Sequence, residues 1–197
     1  PDTRWGTFWS LGAGYTLSEE SFLQGVDFIN LLKVRASYGI TGNAGIGNFD
    51  WAGLWGFTPV YDGNGGAAPS QVANPNLTWE SQGNTNIGLD LEMFNSRFRG
   101  NVDYFIRNST ELLLDRPLSM TTGFRTVQQN FGDMQNSGWE IALSGDVVST
   151  DDFILTLGAN ITFLKNELTK LPEAYIDGTK RREEGRDYQE YFLFGWA

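Results

Sequence analysis

The chain has 197 residues, enough for one ordinary domain, with 40% hydrophobic and 19% charged residues and a formal net charge of −10. It contains no Cys and no His, which removes disulfides, thiolate chemistry, the commonest metal ligand and the commonest general base. The negative balance argues against nucleic acid as a partner, since that needs a basic footprint.

In chain order, the dominant period is two rather than 3.6. From Trp5 to Leu17 the odd positions read Trp, Thr, Trp, Leu, Ala, Tyr, Leu, and small or polar residues fill most of the gaps. Ser18-Glu19-Glu20-Ser21 could cap a brief helix with Phe22, Val26 and Ile29 on its apolar face. From Leu32 to Ile40 the even positions are Leu, Val, Ala, Tyr and Ile, set against Lys33, Arg35, Ser37 and Gly39. From Thr85 to Met93 the odd positions are mostly apolar, against Asn86, Gly88, Asp90 and Glu92. Phe98, Gly100, Val102, Tyr104 and Ile106 alternate with Arg99, Asn101, Asp103 and Phe105. Trp139, Ile141, Leu143, Gly145 and Val147 alternate with Glu140, Ala142, Ser144 and Asp146. Phe153 to Phe163 repeats the pattern, and a seventh strand is expected from near Tyr188.

These segments are longer than the roughly 5–6 residues of a typical globular strand. Phe153 and Phe163 bracket Leu155, Leu157, Ala159 and Ile161, and Trp5 and Tyr15 bracket a similar stretch. Ten residues at ~3.3 Å each, tilted by about 40°, give an apolar band roughly 25 Å tall between aromatic girdles, as in outer-membrane barrels. No apolar run approaches the ~18 residues of a membrane helix, which says nothing against a barrel. The fold class expected is all-β: a transmembrane antiparallel β-barrel. The same alternation would suit a soluble β-sandwich carbohydrate-binding module, whose polar face would meet solvent. Strand length and girdle spacing favour the barrel.

The connections point the same way. Asn95-Ser96 and Ser149-Thr150-Asp151-Asp152 are short turns, Ser18 to Asn30 is of medium length, and long connections cover about 43–79, 113–133 and 166–187. Membrane barrels have short periplasmic turns and long extracellular loops in this alternation. The absent signal peptide and the aromatic run Tyr191–Trp196 at the other end are read as cuts in a longer chain.

Catalytic signals are weak, and no enzyme activity, cofactor or metal site is expected. The acidic pairs Glu19-Glu20, Asp151-Asp152 and Glu183-Glu184 are sequence neighbours in turns or loops, not opposed carboxylates. Asp62-Gly63-Asn64-Gly65-Gly66 lacks the spacing and closing Glu of a calcium loop. The Asn-x-Ser/Thr triplets at Asn76, Asn108 and Asn160 are treated as chance, since Asn160 lies within a strand. Lys33, Arg35, Asp90, Glu92, Arg99, Asp103, Glu140 and Asp146 fall on the inward face, where they could meet a plug or substrate, with mutual salt bridging the favoured reading.

Several stretches resemble the SusC/RagA family of TonB-dependent outer-membrane transporters: Leu32–Asn43, Asn74-Pro75-Asn76-Leu77-Thr78-Trp79-Glu80, Asn86–Asp90, Val102–Phe105, Asn136–Glu140 and Lys165–Leu168, in that order. The resemblance implies about seven strands from the later half of a large plugged barrel of about 22 strands. It implies import of oligosaccharides or peptides in a bacterial outer membrane, driven through a TonB complex, with a SusD-type surface lipoprotein as lid and outer-membrane lipid around the wall. The plug domain and TonB box lie outside residues 1–197, so no coupling residue is carried over. Trp51, Trp55, Phe57 and Tyr61 are the candidates for substrate or lid contact, with packing inside the loop an open alternative.

Overall fold

Residues 5–57 and 60–193 are described by a computed structural model. In chain order the strands are β1 (Trp9–Thr16), β2 (Ile29–Asn43), β3 (Leu54–Gly56), β4 (Val60–Tyr61), β5 (Asn64–Gly65), β6 (Ala68–Gln71) and β7 (Glu80–Met93). There follow β8 (Phe98–Thr110), β9 (Leu113–Pro117), β10 (Thr126–Asn130), β11 (Asp133–Ser149), β12 (Ile154–Lys170), β13 (Tyr175–Asp177) and β14 (Lys180–Arg182). Six of them form one antiparallel sheet in the order β1-β2-β7-β8-β11-β12. The remainder form two-stranded sheets within the long connections.

The period-two pattern fixes the faces. Tyr15, Val34, Leu89, Val102, Ile141 and Ile161 stand side by side across all six strands. The row of Ala13, Ala36, Ile87, Tyr104, Trp139 and Phe163 runs parallel to it. Among the described residues no second layer covers this face: Leu157 is 57% exposed and Phe163 55%. The molecule exposes 13783 Å². A compact soluble chain of 22.0 kDa would expose only roughly 9,300 Å². A sandwich would bury such rows against a facing sheet, so the soluble-module alternative is excluded by the single-layer architecture.

Aromatic pairs mark both edges of the band. Trp9 and Tyr38 meet edge-on at 5.5 Å, and Tyr104 and Trp139 lie tilted at 4.8 Å; at the other end Phe28 stacks on Phe94 at 6.0 Å. The upper edge descends from Trp9 on β1 to Phe163 on β12. Phe163 shares its row with Ala13, so the drop is four residues over five strand spacings. At ~3.3 Å per residue and ~4.8 Å per strand, that slope is a tilt of roughly 30°, close to the lower end of the range for membrane barrels.

The short connections cluster at one end. Phe94, Asn95 and Ser96 all take left-handed φ values (56°, 57° and 59°), and the turn is held by Phe94 N–H donating to Phe28 O (2.8 Å) and Ser96 N–H to Asn30 Oδ1 (3.1 Å). Three expectations are corrected. The helix expected after Ser18 is one 3₁₀ turn, Leu17–Glu19, followed by turns, because Gly25 interrupts the short apolar repeat. Asn166–Lys170 belong to β12 rather than to a loop. The strand expected near Tyr188 is absent through residue 193. There the backbone turns back on the β13–β14 hairpin, with Arg181 N–H bonded to Glu190 O and Phe192 N–H to Thr179 O. Residues from 194 onward lie outside the described residues.

Candidate functional site

Two surfaces carry the polar chemistry: the inner face of the sheet, and the cluster formed by the three long connections. On the inner face, Arg35 donates from Nε to Asp90 (3.1 Å) and from Nη2 to Asp103 (2.7 Å). Asn101 also donates to Asp103 Oδ2, at 3.1 Å. Gly88 lies between Arg35 and Asp103 in the register, and a Cβ there would stand 2.5 Å from Asp103 Oδ1. Glycine is therefore what lets the ion pair span β2 and β8 across β7. Arg99 pairs with Asp146 at 3.7 Å, and Ser96 Oγ donates to Glu92. The expected mutual pairing thus holds for five of the inward charges. Lys33 and Glu140 have no ionic partner among the described residues.

Asp103 is 6% exposed and its Oδ1 makes no hydrogen bond, so its charge depends on Arg35 and Asn101. Arg35→Leu in the intact protein is expected to cost about 2 kcal/mol of stability, below the full penalty for a buried charge because Arg35 itself is partly exposed. The double variant Arg35→Leu/Asp103→Leu should recover most of it, since both charges then vanish together. Denaturant titration of folded protein checks this. A double variant no more stable than the single one would show that the pair does not carry the effect.

At the opposite end from the tight turns, the long connections pack against one another. Phe131, Leu168 and Leu171 form a buried cluster, joined by Leu114, Met134, Tyr175 and Tyr188. Leu77 from the first connection and Leu112 from the second are also buried. Asn130 ties two connections together: its Oδ1 accepts from Thr78 N–H (2.9 Å), and its Nδ2 donates to Thr78 O (3.1 Å) and Glu111 O (2.9 Å). Asn74 Nδ2 donates to Gln128 O at 2.9 Å. Burial pushes the Tyr175 phenol above its ordinary value, and neighbouring Tyr188 adds to the shift.

A single-layer sheet with one apolar face, one charged face, and long and short connections segregated at its two ends is the geometry of a barrel wall. The family described as "TonB dependent receptor-like, beta-barrel" matches residues 1–189. The chain belongs to the TonB-dependent receptor β-barrel family. Among curated relatives, TonB-dependent receptor P39 of Formosa agariphila is 36% identical over 169 residues, covering 86% of this chain and 16% of that protein. TonB-dependent receptor SusC of Bacteroides thetaiotaomicron is 36% identical over 183 residues, covering 86% of this chain and 18% of that protein. The structure of the RagAB peptide transporter superposes with a TM-score of 0.83 at 31% identity, covering 90% of this chain and 20% of that chain. The chain therefore spans less than a fifth of the length of these curated relatives. Members of this TonB-dependent receptor family are outer-membrane β-barrel proteins, and the six-stranded sheet is an unclosed section of such a wall.

The four aromatic candidates of this receptor section all lie in the first long connection. Trp51 donates from Nε1 to Asn48 O at 3.2 Å, and its carbonyl accepts from Asn74 N–H, so it helps hold the first connection together. Trp55, paired with Pro69 between β3 and β6, is 61% exposed and Phe57 80%. Tyr61 lies in β4 opposite Asn64, and its side chain is outside the described residues. Sequence reasoning did not find Phe131, Leu171 or Arg182, which are single residues brought together from separate connections and leave no periodic signal.

Proposed function

We propose that this chain is barrel wall and extracellular loop of a TonB-dependent outer-membrane importer of oligosaccharides or peptides. The observation that carries the reading is the six-strand apolar band: outer-membrane lipid is the solvent that such a face requires. The connections near 43–79, 113–133 and 171–187 are the extracellular loops, and the tight turns are periplasmic. Energy would reach the substrate path from a TonB complex through a plug domain within the barrel. Unpaired Lys33 and Glu140 supply inward charges for such a plug to meet. The RagAB and SusC likenesses support both substrate classes and a SusD-type surface lipoprotein as lid.

The first loop offers the lid or substrate a contact surface at Trp51, Trp55, Phe57 and Tyr61. Exposed aromatic anchors contribute most when desolvated by a partner. The double variant Trp55→Ala/Phe57→Ala in the intact protein is expected to weaken lipoprotein capture or substrate uptake about tenfold, roughly 1.4 kcal/mol. Deleting residues 44–72 should impair one or both more severely. Lid capture and uptake that both survive the deletion unchanged would show this loop to be dispensable.

A further inference from the structure

The second connection does not simply prolong the wall. β8 and β11 pair as far as Ser109 and Met134, and the β9–β10 hairpin beyond them is a sheet of its own. At the break, Glu111 and Gly132 stand on the two strands in left-handed backbone conformations, with φ of 57° and 121°. Glu111 belongs to a residue type that avoids this region, and its N–H is held by Asp133 Oδ1 at 3.0 Å. Gly132 is needed for space as well as for φ: a Cβ there would stand 2.9 Å from the Lys170 carbonyl oxygen. Two backbone bonds carry the ladder across the break, Leu112 N–H to Gly132 O at 3.0 Å and Phe131 N–H to Leu112 O at 2.8 Å.

The base of the hairpin leans to one side of the wall. Met134 and Leu168 pair across β11 and β12 and share the inner face with Glu140. Leu168 is fully buried with Phe131 and Leu171, and Met134, Leu114 and Tyr175 pack on that cluster. Lys165, on the outer face of β12, stays exposed. The cover therefore lies on the lumen side. Above its base the hairpin has room: a cavity of about 370 Å³ separates it from the first connection and one of about 460 Å³ from the third. Met120 at its tip is 73% exposed. One side chain does most of the holding. Asn130 bonds both the N–H and the carbonyl of Thr78 and also the carbonyl of Glu111, so it joins the break to the first connection. Asn74 Nδ2 adds a bond to Gln128 O, and on the third side Arg116 reaches the exposed Glu173 only at 3.9 Å, too long and too solvated to hold much. A fixed base, a free body and a single main tie are the parts of a rigid element that turns on a few backbone dihedrals.

Resting on the wall-and-loop reading above for its direction, we propose that the second connection is a flap of the barrel mouth that folds toward the lumen, hinges at Glu111 and Gly132, and is latched to the first connection by Asn130. Latched, it narrows the mouth; released, it clears the lumen without unfolding. The test is a distance measurement on the intact protein in lipid nanodiscs, so it does not depend on what is imported. Residues 1–197 contain no Cys, and any cysteine elsewhere in the intact protein is changed to serine. Spin labels go on Met120→Cys at the tip and Thr169→Cys on β12, and a second pair on Val147→Cys and Thr169→Cys reports on the wall alone. The tip-to-wall distance is expected to be a single narrow population in the otherwise unchanged protein. Asn130→Asp keeps the size of the latch but turns its two donors toward carbonyls as an acceptor, and should raise the fraction at a second, altered distance roughly tenfold, as the loss of hydrogen bonds would give. Gly132→Ala should act in the same direction, because its Cβ meets the Lys170 carbonyl only while the flap is folded in. The wall pair should not change, and the amides of the β9–β10 ladder should keep their protection from hydrogen exchange in both variants. An unchanged tip distance in both variants overturns the proposal. So does a distribution in the unsubstituted background already as broad as that of Asn130→Asp, which leaves no latch. A wall pair that shifts together with the tip, or a ladder that exchanges faster in step with it, makes the change a melting of the hairpin and overturns the hinge, while the importer reading stands in every case.

Discussion

Gly138→Val in the intact protein is expected to leave little or no folded barrel in the outer membrane. Gly138 lies in β11, the strand that joins β8 to β12, and pairs with Phe105 on one side and Leu164 on the other. A Cβ at this position would stand 2.1 Å from the Phe163 carbonyl oxygen and 3.0 Å from Phe105 Cζ. The first obstacle is backbone, so no rotamer change relieves it, and the ladder between β11 and β12 must open instead. The second is a ring that is 4% exposed and capped by the Arg107 guanidinium at 4.8 Å. Overpacking typically costs about 1–3 kcal/mol where side chains can yield, so a clash with fixed backbone should reach or exceed about 3 kcal/mol. Gly158→Ala is the matched control: its Cβ would meet nothing nearer than 3.6 Å. The fraction of heat-modifiable protein in outer-membrane extracts reads the difference. Wild-type amounts of Gly138→Val with an unchanged melting temperature would remove the steric argument.

The sequence showed the sheet best where the chain crosses the apolar band, and the reason is physical. Alternation is visible only where one face meets lipid and the other a polar interior. Past the girdle both faces meet water or loop, so the apolar period ends while backbone pairing continues. β11 begins at Asp133 and β12 runs to Lys170, and in their upper parts Gln135, Asn136, Glu167 and Asn166 pair with no apolar stripe at all. Apolar alternation therefore spans only part of each strand. The aromatic run near Tyr188 misled for the converse reason. Its residues pack locally, Tyr188 against the Phe131, Leu168 and Leu171 cluster and beneath Arg182, Tyr191 beside Lys180. Aromatic alternation can serve a loop core as well as a strand.

The inward charges were legible as a set, but their pairing was not. Arg35 reaches Asp103 on a strand two places away, a distance of 68 residues along the chain. That connection depends on Gly88 lacking a side chain, and a lone glycine in a strand carries no such message by itself. The loop core was hardest. Leu77, Phe131 and Leu171 come from three connections and the Asn130 clamp ties two of these together, and none of these contacts has a sequence period.

A charge placed on the outward face should cost far more than the same charge one residue further along. Leu143 lies midway between Trp139 at the upper edge of the band and Val147 near its lower edge, beside Gly100 on β8 and Ala159 on β12. Ser144 faces the other way, into a depression lined by Lys33, Asp90, Glu92, Arg99 and Asn101. Leu143→Arg in the intact protein is expected to cost about 2–4 kcal/mol, the penalty for a cation on the lipid face near the bilayer midplane. Ser144→Arg should cost less than about 1 kcal/mol, since its guanidinium enters a hydrated site that already holds carboxylates. Phe163→Arg, at the girdle, should fall between about 0 and 1 kcal/mol, apart from the lost ring contacts. Unfolding in lipid vesicles, followed by tryptophan fluorescence, gives the three values. A depth dependence in this order is specific to lipid, because a soluble partner covering the same face would have no reason to grade the penalty from girdle to midplane. If Ser144→Arg proved the costlier of the two neighbours, the apolar band would have to face inward and the barrel would be turned inside out.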